Sequence, residues 1–262
     1  MMENKISVVI NTYNAEKFLA EVLESVKGFD EILVCDMEST DRTREIASQY
    51  GCRIVTFPKA NHVSAEPART FAIESAKHPW VLVLDADELV TPELKDFLYR
   101  RITESDCPQG LWLPRKNYFM GRFMHSLYPD FVLRFFVREG TVWPPYVHTN
   151  PTVQGRIERL PRKRKELALI HLANDSVEAI VRKTNLYTES EIEKKRKKNY
   201  GIAAMFYRPF FRFFKSYILK GGCRDGVPGF VHACLEAHYQ FIALSKIFEE
   251  RINPDHHIHR QK

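Results

Sequence analysis

Short β-branched runs alternate with amphipathic helical stretches through the first third of the chain, and that alternation leaves few folds open. Ile6-Ser7-Val8-Val9-Ile10 reads as a strand and is followed by the polar turn Asn11-Thr12-Tyr13-Asn14. Asn14 is placed to cap a helix whose apolar positions Phe18, Leu19, Val22, Leu23 and Val26 repeat at helical spacing, with Gly28 at its end. A second strand covers residues 31–36; Ser39 or Thr40 then caps a helix that runs to Tyr50 and closes at Gly51. A third strand at 53–57, a helix at 66–76 and a buried strand at 80–85 follow, and Thr91-Pro92 opens the next helix. The β-α-β-α order predicts an α/β fold with a mostly parallel central sheet flanked by helices. Ligands of such sheets bind beyond the carboxyl ends of the strands, where Thr12, Tyr13, Asp36, Asp85 and Asp87 fall.

Charge divides the chain. Residues 1–155 hold 17 Lys/Arg against 21 Asp/Glu, a balance of −4, whereas residues 156–224 hold 18 against 7, a balance of +11. This sets an ordinary soluble domain at 1–155 apart from a basic, helical region at 156–262 that suits an anionic partner. The five cysteines are scattered without a C-x-x-C pair, as expected of reduced thiols. With no secretory signal and no apolar run of about 20 residues, the expectation is a cytoplasmic protein.

The turn after the first strand lacks the glycines of a dinucleotide fingerprint, and no P-loop is present. A polar, aromatic turn must hold its ligand by side chains. Tyr13 offers a flat face for a base, and Asp36 an acceptor for a base N–H or a ribose hydroxyl. In Asp85-Ala86-Asp87-Glu88, period-two alternation turns Asp85 and Asp87 to one side. Two carboxylates ending a buried strand suit a hard divalent cation that keeps positions open for phosphate oxygens.

The runs 7–14, 36–41 and 85–88 together resemble glycosyltransferase family 2, which has the GT-A nucleotide-diphospho-sugar transferase fold. The chain is further similar to the lipopolysaccharide core-biosynthesis β-glucosyltransferases of the WaaE/KdtX type. That likeness rests on Pro67-Ala68-Arg69, Tyr128-Pro129-Asp130, Leu133-Arg134-Phe135-Phe136, Tyr217-Ile218-Leu219-Lys220-Gly221-Gly222 and Asp225-Gly226. It implies an inverting transferase that moves a hexose, glucose from UDP-glucose, onto a lipid-linked saccharide such as lipopolysaccharide inner core, or onto another envelope polysaccharide such as capsule. Thr12, Tyr13, Asn14 and Asp36 would hold the nucleotide sugar, with Arg69 near the diphosphate. Asp85 would approach the ribose or the metal, and Asp87 would bind Mn²⁺ or Mg²⁺ directly. Asp41, in the first turn of the second helix, would cap and orient that helix rather than touch the donor. Asp130 is the candidate general base, with Glu88 next in line. Two positions depart from the family: Glu38 stands where glycine is expected, and Val147-His148-Thr149 replaces Val-His-Glu. His148 and His171 are candidate metal ligands or phosphate partners.

Basic runs lie at 162–165 and 194–198, and seven aromatics interleave with Arg208, Arg212 and Lys215 between Met205 and Tyr217. Phe210, Phe213, Phe214, Tyr217 and Ile218 share one helical stripe and the cations another, a pattern for a helix lying in an anionic membrane interface. The enzyme is therefore expected at the cytoplasmic face of the inner membrane. The competing class is a non-catalytic GT-A-like module with a basic arm for RNA or another polyanion. No nucleic-acid-binding signature accompanies the arm, and intact Asp85, Asp87 and Asp130 argue against that class. The tail His256-His257-Ile258-His259 reads as a disordered end.

Overall fold

The computed structural model describes residues 3–62, 64–146, 149–172, 176–195 and 200–253. The strands in chain order are β1 (Ile6–Thr12), β2 (Glu31–Asp36), β3 (Arg53–Thr56), β4 (Trp80–Asp85), β5 (Glu88–Leu89), β6 (Gly110–Phe119), β7 (Arg122–Phe123), β8 (Asp130–Val137), β9 (Ile157–Arg159) and β10 (Leu169–His171). The helices are α1 (Glu16–Ser25), α2 (Thr43–Gln49), α3 (Glu66–Ser75), α4 (Pro92–Arg101), α5 (Val177–Lys195), α6 (Ala204–Phe214) and α7 (Gly226–Ile252). The chain forms two compact units, one of residues 1–116 with 129–173 and one of residues 117–128 with 174–262. The boundary does not fall at 155, where the charge changes. Residues 156–173 stay with the first unit because β9 pairs with β6 and β10 with β5.

In the first unit β3, β2, β1 and β4 lie side by side and parallel. Antiparallel β8 and then β6 extend the sheet beyond β4, so the whole is mixed. Ile6, Val8 and Ile10 of β1 face a core shared with Leu19 and Leu23 of α1 and Leu94 and Leu98 of α4. Val9 faces the opposite core, with Ala68, Ala72 and Ile73 of α3. Burial on both faces is why β1 is apolar without alternation. The register sets Thr12 beside Asp36 and Asn11 beside Asp85, so the chemistry-bearing residues gather on one edge.

Two expected helix caps are replaced. Ala15 takes the cap position of α1 without a side-chain bond, and Asn14, at φ 48°, accepts the Thr40 backbone N–H on its Oδ1 at 2.9 Å. Neither Ser39 nor Thr40 caps α2. Asp41 accepts the Thr43 N–H at 3.0 Å and the Glu16 N–H at 3.1 Å, so one carboxylate serves the starts of α1 and α2. Paired strands bring their following loops together, and the polar side chains bond across the gap instead of locally. Thr91 does cap α4, accepting the Leu94 N–H at 3.2 Å.

In the second unit α7 packs against both α5 and α6. The buried Asp225 carboxylate, just before α7, accepts the backbone N–H groups of His125 and Ser126 at 2.8 and 3.0 Å and the Ser126 hydroxyl at 2.7 Å. Burial alone would raise its pKa; these bonds outweigh burial and lower it. At Gly229 in α7, an added Cβ would sit 1.9 Å from the Gly222 carbonyl oxygen. No helix among the described residues is long and apolar enough to cross a membrane.

Candidate active site

A cleft of about 500 Å³ opens at the carboxyl ends of β1 and β4, lined by Asn11, Tyr13, Asn14, Lys59, Asp85 and Asp87 among others. β4 ends at Asp85 and the chain turns through Ala86 and Asp87, so the two carboxylates share the cleft but not their partners. Asp85 is clamped. Arg69 on the inner face of α3 donates to its Oδ1 at 2.6 Å, and Arg134 of β8 donates to its Oδ2. Both guanidinium groups also cover the Trp143 ring, at 4.5 and 5.4 Å from its centre, and their remaining nitrogens lack hydrogen-bond acceptors. Ring faces attract cations, which accounts for burial without acceptors. Burial pushes the Asp85 pKa up, but Arg134 and Arg69 outweigh it and hold the carboxyl well below its ordinary value. Arg69, expected beside a diphosphate, is thus buried and committed to Asp85.

Asp87 faces the imidazole of His171, with Nε2 3.4 Å from Oδ2. β10 delivers that histidine: His171 pairs with Glu88 in the antiparallel β10–β5 ladder, and the Leu172 N–H donates to the Asp87 carbonyl at 2.8 Å. Carboxylate and imidazole together suit Mn²⁺, and two protein donors leave positions for phosphate oxygens. No third His, Cys, Asp or Glu joins them among the described residues. His148 lies outside the described residues. Thr149 turns its hydroxyl inward and donates to the carbonyls of Pro144 and Tyr146.

Thr12 and Asp36 sit behind the cleft. Asp36 is fully buried and accepts from the Thr12 hydroxyl at 3.1 Å, the Ser39 hydroxyl at 2.5 Å and the Ser39 N–H at 3.0 Å. Tyr13 is exposed, and the Lys59 ammonium lies 4.8 Å from its ring centre. Glu38 adopts φ 59°, which explains why glycine is expected there, and its carboxylate accepts the Lys59 N–H at 3.0 Å.

Asp130 begins β8, opposite Arg115 of β6. Arg115 donates to Asp130 Oδ2 through Nε at 2.9 Å and Nη2 at 2.6 Å, and to Glu88 through Nη1 at 2.7 Å. Glu88 is fully buried, which removes it as a second candidate base. Arg115 and Arg134 were not among the expected site residues. For Arg134 the signal was available, since it is a charge inside the apolar run 131–137, a pattern tolerated only where a partner waits; Arg115, followed by Lys116 and Asn117, carries no such signal.

Residues 7–151 match the family described as glycosyl transferase family 2. The chain belongs to glycosyl transferase family 2. Relatives named as glycosyltransferases cover nearly all of it. An uncharacterised glycosyltransferase of Rickettsia conorii is 27% identical, with 96% of this chain and 92% of the relative covered. The lipopolysaccharide core biosynthesis glycosyltransferase LpsC of Rhizobium meliloti is 25% identical over 93% of this chain and 92% of its own. The mannosyltransferase PcManGT of Pyrobaculum calidifontis, solved with GDP-mannose and Mn²⁺, superposes with a TM-score of 0.54 at 13% identity, covering 95% of this chain and 89% of that one. This family 2 enzyme therefore has the GT-A fold and is a glycosyltransferase.

The aromatic stripe expected in the second unit is divided. Phe210, Phe214 and Lys215 are exposed, but Phe213 and Tyr217 stack on each other and meet Phe230 of α7 edge-on at 5.8 Å. Arg212 donates to Glu236 of α7 at 2.5 Å. Helix packing takes one side of α6, so the outward stripe is rotated from the expected one.

Proposed function

We propose that this enzyme transfers a hexose from a nucleoside diphosphate sugar, with inversion, onto a lipid-linked saccharide of the lipopolysaccharide core type, at the cytoplasmic face of the membrane. The observation that carries the donor half is Asp87, which lines a cleft at the strand ends and has the His171 imidazole beside its carboxylate. The name of the Rhizobium relative supports the acceptor class. Tyr13 stacks the base, uracil in the donor tested first, while Thr12, Asn14 and Asp36 hold its loop from behind. Asp87 and His171 would hold Mn²⁺ or Mg²⁺, which as a Lewis acid stabilises negative charge on the leaving diphosphate. Asp85, neutralised by Arg69 and Arg134, keeps the strand end fixed and faces the ribose side of the cleft. Asp130 takes the proton of the attacking acceptor hydroxyl, held in place by Arg115. One displacement with one base inverts the anomeric centre.

Calorimetry with UDP and with UDP-glucose, with and without Mn²⁺, tests the reading. Binding should need the metal and should weaken at least about tenfold in Asp87→Ala and in His171→Ala, since even outer-shell partners of a metal are worth about 10–100-fold. Metal-independent binding, or unchanged affinity in both variants, overturns the metal site.

A further inference from the structure

The outward face of α6 and the turn after it is apolar to a degree unusual for a helix of a folded unit. Phe206 is 75% exposed and Phe210 71%, with Tyr207, Phe211, Phe214, Ile218 and Leu219 exposed beside them. A groove of about 610 Å³ runs along this face, lined by Tyr207, Arg208, Phe210, Phe211, Lys215 and Gln240 among others. Its charge has one sign. Residues 200–224 contain Arg208, Arg212, Lys215, Lys220 and Arg224 and no Asp or Glu. Of these cations, Arg212 is spent on Glu236, while Lys215, Lys220 and Arg224 are exposed and Arg208 stacks on Tyr200 at 5.0 Å.

We infer that this face docks on an anionic lipid bilayer, with Phe206, Phe210, Phe211 and Phe214 entering the headgroup boundary and Arg208 and Lys215 engaging lipid phosphates at the groove. Two properties select that occupant. An aromatic surface bordered only by cations is complementary to an anionic interface, where aromatic rings settle at headgroup depth and each Lys or Arg adds attraction. A second copy of the same face would bring like charges together, which disfavours self-association. The residues that insert differ from those the sequence suggested: Phe213 and Tyr217 are held by Phe230 and stay in the protein. This inference uses the proposed transfer reaction only for the expectation of a lipid-linked acceptor.

Flotation of the full chain with vesicles of phosphatidylcholine and phosphatidylglycerol in equal parts, and with phosphatidylcholine alone, tests it. The protein should float with the anionic vesicles only and release as salt rises. Arg208→Glu with Lys215→Glu should cut binding at least about tenfold at low salt, from the roughly 1 kcal/mol assigned to each cation. Phe206→Ser with Phe210→Ser should abolish flotation while leaving the circular dichroism and melting temperature unchanged, because both rings are exposed. UDP binding measured on the same samples keeps the two readings apart: flotation without donor binding sinks the proposed reaction alone. Absence of flotation, equal flotation of the variants, loss of fold in the Phe pair, or a wild-type dimer that those changes dissolve each overturns the membrane face.

Discussion

Arg69 and Arg134 spend two buried charges on one carboxylate, and the cost falls on stability as well as function. Breaking a buried pair typically costs about 3–5 kcal/mol, and Arg134→Met should fall near the lower figure because Arg69 remains with Asp85. The pH dependence follows from the lowered Asp85 pKa. A free aspartate titrates near about 3.9, so the clamp contributes fully above that value and is lost as pH falls through the lower folded pKa. Denaturant melts should therefore show a wide gap between wild type and Arg134→Met at neutral pH that narrows below about pH 4; a constant gap would contradict the clamp. The proposed base at Asp130 offers a way to separate chemistry from binding. Asp130→Asn should lower transfer by about 10²–10⁴-fold with UDP affinity unchanged, because a general base acts on the acceptor. Near-normal turnover would place the base elsewhere.

The elements of the first unit were legible down to single residues where one physical signal dominates. β4 and its flanking Thr91-Pro92 helix start agree with the sequence because a buried apolar run and a capping hydroxyl are local signals. The cap of α1 was not legible, since Asn14 bonds across to a loop that only sheet pairing brings near. Asp41 was expected to cap and orient α2 and does so through the Thr43 N–H; what the sequence did not show is its second bond, across the loops to the Glu16 N–H. β10 escaped notice for the same reason: three residues with no periodicity become a strand through β5. The Gly221-Gly222 and Asp225-Gly226 runs were visible as a resemblance without a cause. The structure supplies one in the near-contact of Gly222 and Gly229 at the start of α7. Gly229→Ala must push α7 away from that carbonyl, so thermal melts should show a loss of at least about 2 kcal/mol. UDP calorimetry below the transition should still report binding, because every residue proposed for the donor belongs to the other unit.

At the scale of the whole molecule the two units differ in what they show to solvent. All five cysteines are free, but only Cys223 and Cys234 are exposed, and both belong to the second unit. Burial pushes the Cys35 thiol up to about 12 and the Cys52 thiol up to about 11, and raises Cys107 as well. Thiolates are the reactive species. A disulfide reagent should thus label two thiols quickly in the native protein and all five in denaturant; rapid labelling of a third would place the first unit's thiols in solvent. The return of β10 into the first unit's sheet also has a consequence for anyone recombining such enzymes. Transplanting the acceptor-side region of a relative at residue 155 would discard His171 with it and leave Asp87 facing a stranger's strand. The seam that keeps host chemistry whole lies after residue 173, and it must spare the host's Asp130 and Arg115 while exchanging 117–128.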